Sequence, residues 1–87
     1  MCTWIVERTE ITGSGKGPSG WFPLTHATVY YDHPFHAPLD HTLNIDFANE
    51  GEGPGKRVAV ELSASSARAL VGRILAALAT GDSLHAT

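Results

Sequence analysis

The chain has little of most residue types that announce a function outright. It has one cysteine, Cys2, among 87 residues, which rules out an intrachain disulfide and fits a reducing compartment. Its six Lys and Arg are scattered from Arg8 to Arg73 against nine Asp and Glu, for a net charge of −3. Phosphate binding needs a clustered basic footprint, so no nucleic-acid partner is expected. No apolar run approaches the ~20 residues that span a bilayer. Glu7, Arg8 and Glu10 fall where a secretory signal would carry its hydrophobic region. These absences lead to the expectation of a soluble cytoplasmic protein with no membrane partner.

Two phosphate-binding motifs are also missing despite a glycine-rich stretch. Gly13 to Gly20 reads Gly-Ser-Gly-Lys-Gly-Pro-Ser-Gly, and Gly15, Gly17 and Gly20 match the letters of the dinucleotide fingerprint. That motif has to open a helix after a strand, whereas Trp21-Phe22-Pro23 follows here. Lys16 is followed by Gly17, where a P-loop has the Ser or Thr that holds magnesium. The stretch reads as a loop, either a flap beside a site or a plain flexible connection.

What is present describes one small domain over residues 1–87. Hydrophobic residues make up 43% of the chain, so disorder is not expected. A domain of this size buries only about 60 to 65% of its unfolded surface, and association into a homodimer would help it. The segment from Cys2 to Thr12 is rich in β-branched residues and reads as a first strand. Cys2 itself reads either as a chelating or nucleophilic thiol or as a small buried hydrophobe. Trp21 to Leu24 form an apolar lead-in, serving as core or as a ligand-facing wall.

Alternation of apolar and polar residues then defines two strands around a histidine-rich connection. Ala27, Val29, Tyr31 and His33 share one face of the first, and His41, Leu43, Ile45 and Phe47 share the apolar face of the second. Arg57 to Leu62 is a fourth strand with Val58, Val60 and Leu62 inward. Ser63 stands as a helix N-cap, Ala67, Leu70, Val71, Ile74, Leu75 and Leu78 recur at helical spacing, and Gly81 is placed to end the helix. Gly72 inside it invites either a closely packed partner helix or a neutral surface position. The fold expected is α+β: a four-stranded, mostly antiparallel sheet with one C-terminal helix packed on one face.

The candidate chemistry lies in the central connection. Pairing that sets Val29 opposite Ile45 and Tyr31 opposite Leu43 also sets His33 opposite His41, with Cβ atoms roughly 4.5 to 5.5 Å apart. His36 lies in the connection between Pro34 and Pro38. Three imidazoles with room for a further ligand suit a divalent transition metal, and spacing does not choose among zinc, iron, copper and nickel. On this reading His33, His36 and His41 are the ligands, and Asp40 and Asp32 are acceptors that hold the ligand rings. Tyr31 is a donor to a metal-bound oxygen, so that Tyr31 and Asp40 would serve a mononuclear metalloenzyme acting on a small molecule. Two other readings stand beside it: histidines that cap the sheet in a dimeric binding or accessory module, and metal-free acid–base work by the same rings. His26 falls on the opposite face.

The opening Met1-Cys2-Thr3-Trp4-Ile5-Val6-Glu7 and the block from Gly20 to Phe47 resemble a family of small actinobacterial proteins of unassigned function, across most of the chain. The resemblance implies a bacterial cytoplasmic protein and carries no activity or residue role.

Overall fold

The computed structural model describes residues 5–85. Strands β1 (Ile5–Gly17), β2 (Gly20–Asp32), β3 (Thr42–Ala48) and β4 (Arg57–Leu62) are followed by helix α1 (Ala64–His85), with a short 3-10 turn at Glu50–Glu52 between β3 and β4. The strands pair antiparallel in sequence order. The fold is therefore the α+β arrangement that the alternation and the helical stripe indicate. Cys2 and Trp4 lie outside the described residues.

The register is the one the apolar pattern requires. Val29 pairs with Ile45 and Tyr31 with Leu43, and Leu43 pairs in turn with Leu62 and Ile45 with Val60. A one-residue slip would turn each of these side chains to the other face. One face of the sheet is consequently aliphatic and aromatic. The other carries Thr28, Tyr30, Asp32, Thr42, Asn44, Asp46 and Glu61.

The glycine-rich stretch is not a loop. β1 continues through Gly17, and only Pro18 and Ser19 form the turn before Gly20, whose φ of 114° is open to glycine and disfavoured for other residues. The register shifts between Glu10 and Gly13, the signature of a β-bulge that bends and twists the arm. A Cβ on Gly15 would lie 3.2 Å from the Leu24 side chain, and one on Gly17 would lie 3.3 Å from the Phe22 ring. The glycines thus make room for Leu24 and Phe22 to lie over the bare backbone of the neighbouring strand. Lys56 Nζ stands 5.7 Å from the centroid of Phe22, and Asn49 Nδ2 donates to the Pro23 carbonyl at 2.9 Å, tying the arm to the β3–β4 connection.

Helix α1 begins as the sequence indicates, with Ser63 Oγ accepting from Ser66 N at 3.2 Å. It does not end at Gly81 but runs on to His85. Gly81 keeps a negative φ, no proline follows it, and a helical glycine costs at most about 1 kcal/mol relative to alanine, too little to stop the helix. Ala67, Leu70, Val71 and Ile74 of the stripe turn toward the apolar face of the sheet, but the stripe is not buried there. Leu70, Val71, Ile74, Leu75 and Leu78 are between 44% and 62% exposed, and no residue of α1 is buried. Among the described residues the buried hydrophobic side chains are Phe22 and Ala27.

Phe22, 6% exposed, should therefore carry much of the single-chain stability. Phe22→Ala is expected to cost about 3 to 5 kcal/mol in urea denaturation. A loss below about 1 kcal/mol would show that the glycine arm is not packed as described.

Candidate functional site

Asp32 and Thr42 close the β2–β3 ladder, and His33 and His41 stand one residue beyond it. Their ring centroids are 4.6 Å apart and tilted by 31°. The His41 ring also stacks on Tyr31 at 5.7 Å and 12°. His33 Nδ1 lies 2.9 Å from the Asp40 carbonyl oxygen. A carbonyl only accepts, so this partner assigns a proton to Nδ1, and in the neutral ring the lone pair is then on Nε2. Asp40 thus acts through its backbone rather than its carboxylate. Asp32 Oδ1 accepts from the His33 backbone N–H at 2.7 Å, which orients the main chain and not the imidazole.

His36 does not join this pair. The connection between β2 and β3 is tied to the polar face, where Glu61, paired opposite Asn44, accepts the N–H groups of Phe35, His36 (3.0 Å) and Ala37 (2.9 Å). Among the described residues no group of three His, Cys, Asp or Glu is placed to hold a metal ion. The facing argument holds only for residues in or adjoining the ladder, and His36 lies beyond it. By the alternation of β4, Glu61 is an outward strand position with no assigned role. Its signal was nonetheless present: the run between Pro34 and Pro38 leaves three consecutive N–H groups that need an acceptor.

The same polar face holds a compact network. Asp32, Thr42 and Asn44 are buried, and the Thr42 hydroxyl donates to Asn44 Oδ1, while the buried Asn44 Nδ2 has no acceptor among the described residues. Arg57 Nη2 reaches Asp46 Oδ1 at 2.6 Å. That hydrogen bond, together with the Asp46 charge, raises the guanidinium pKa. Burial and then the Asp46 charge push the Tyr30 phenol above its usual range. His26 Nδ1 sits 2.9 Å from Thr25 Oγ1, away from the His33–His41 pair as its strand phase requires.

A concavity also lies on the apolar side. A groove of about 500 Å³ runs between the sheet and α1, with Val29, Leu43, Ile45 and Leu62 on one wall and Ala67, Leu70 and Ile74 on the other. Among the described residues Arg68 is the one charged side chain that lines it. Tyr31 belongs to both features, since it lines the groove and stacks on His41. No helix among the described residues is long and apolar enough to cross a membrane.

Fold and site together define a small antiparallel α+β domain with an apolar groove under a long helix and two paired histidines at one end. The chain belongs to the family of unknown function DUF6295, whose family model matches residues 1–86. No curated protein and no solved structure matches it.

The three N–H groups make the connection sensitive to acid. The N–H groups of Ala37 and Phe35, and then that of His36 with its ring charge, hold the Glu61 carboxyl below the ordinary carboxylate range. A depressed folded pKa means that the stabilisation is present above the unfolded value, about 4.3, and is lost as pH falls through the folded one. Amide exchange at Phe35, His36 and Ala37 should therefore be slow at neutral pH and accelerate, beyond the intrinsic rate, only at the acid end. Glu61→Ala should show that fast exchange at neutral pH, and equal protection in variant and wild type would contradict the assignment.

Proposed function

We propose that this protein is a non-catalytic binding module that works through the apolar groove between its sheet and α1. The observation that carries the reading is the half-exposed side chains of Leu70, Val71 and Ile74 facing an aliphatic sheet across an open space of ligand size. Apolar concavities with few polar groups are the usual form of binding sites, and contiguous exposed apolar surface of this kind marks interaction. The resemblance of the opening and central blocks supports a bacterial cytoplasmic setting. The methyl resonances of Val29, Leu43, Ile45 and Leu62 are the readout. An occupant of any kind, whether an apolar dye or protein at higher concentration, should shift them, and Ala67→Trp, which plugs the groove, should abolish the response. If neither dye nor concentration moves them, the groove is not a binding surface.

A second reading, favoured by the His33–His41 geometry, is a divalent transition-metal site. It rests on two imidazoles rather than three, with the His33 Nε2 lone pair directed by the Nδ1–carbonyl bond as in metal-ligating histidines. His36 is not a ligand on this reading, Asp40 orients a ring through its carbonyl, and Tyr31 packs against His41. Bound metal would add stability by mass action. Zinc, iron(II), copper or nickel should then raise the melting temperature of wild type, with the shift lost in His33→Ala and His41→Ala and kept in His36→Ala. No shift with any ion removes the site, and loss of the shift in His36→Ala restores the three-histidine arrangement.

A further inference from the structure

Resting on the reading of the groove as a binding surface, we propose that its occupant is a second copy of this chain, docked so that the two α1 helices lie antiparallel and cross at Leu75. The uncovered surface is continuous and on one side. Within the stripe, exposure is greatest at Leu75 (62%) and least at Leu70 (44%), so the edge that runs through Leu75 is the one most in need of cover. Arg68, Leu75 and Asp82 follow one another at seven-residue spacing and so form a line along that edge of the helix. Gly72 borders the line and has open space where a Cβ would stand, which lets another helix approach closely.

The charges on this line select the partner and its direction. Among the described residues neither Arg68 nor Asp82 has an ion-pair partner in its own chain. Two copies related by a two-fold axis at Leu75 bring Arg68 of each helix beside Asp82 of the other, because both residues stand seven positions from the axis. A parallel pair would set Arg68 against Arg68 and Asp82 against Asp82, which is repulsive. The arrangement is isologous and closed, with each contact made twice.

The half-exposed Val71, Leu75 and Leu78 lie within about 60° of one another round the helix and form the apolar centre of the contact. The Leu75 edge of one helix meets the same edge of the other copy, beside the groove that Arg68 and Val71 line, so the chain supplies both halves of the match.

Sedimentation equilibrium of the full chain tests this. Wild type should be a dimer and Leu75→Glu a monomer, while Phe35→Ser, on the opposite side of the sheet, should remain dimeric. Arg68→Asp and Asp82→Arg should each weaken the dimer about tenfold, because two symmetry-related attractions of ordinary surface strength become repulsions. The double variant Arg68→Asp/Asp82→Arg should recover the wild-type constant. This rescue separates a docking defect from a folding defect. A dimer untouched by Leu75→Glu, or charge reversals whose effects add instead of cancelling, overturns the proposal. A monomeric wild type whose groove methyls still respond to dye removes the second copy and leaves the binding surface. A monomer with no methyl response removes both.

Discussion

The structure depends on one unmet requirement, which is cover for the apolar side of α1. A 22-residue helix with two internal glycines gains little from propensity alone, and most helical stability in proteins comes from packing of an apolar face. Here the face is formed and aimed at the sheet, yet each of its large side chains is left about half exposed. The sheet beneath has the complementary problem, with aliphatic residues from three strands lining open space. Both surfaces are resolved by the same event, occupation of the groove, and the functional reading follows from that constraint rather than from any catalytic constellation.

The two faces of the sheet are organised by different physics. On the polar side, specificity comes from satisfied hydrogen bonds: Glu61 gathers three loop N–H groups, and Arg57 and Asp46 pair beside Tyr30. On the apolar side, position is set by register and by area. Tyr31 lines the groove and stacks on His41, so events in the groove and the orientation of the histidine pair are in physical contact. That pair is oriented by a shared strand end, by the Asp40 carbonyl at His33 and by the Tyr31 ring on His41.

Much of this was legible in the chain because period-two alternation is strong in β2, β3 and β4. The pairing of Val29 with Ile45 and Tyr31 with Leu43 followed from apolar phase alone, and the approach of His33 to His41 followed from that pairing. Where the sequence and the structure differ, the physical causes differ too. Gly13 to Gly17 read as a loop because composition registers conformational freedom, whereas the structure uses those glycines for the space they leave to Phe22 and Leu24. Gly81 read as a helix end for the same reason. The path of the connection around His36 is steered by Glu61, a contact 25 residues away in sequence, and the three N–H groups announce the need for an acceptor without naming it. The stripe of α1 was read as core because its spacing shows that it must be buried and does not show against what.

Hydrogen exchange along α1 tests the central claim most directly. If the helix is held by cover that one chain alone does not provide, the amides from Leu70 to Leu78 should be strongly protected at high protein concentration and lose protection on dilution, while those around Phe22 should not change. Protection of these helix amides that is equally strong and independent of concentration would mean that a single chain stabilises α1 by itself, and would contradict the account.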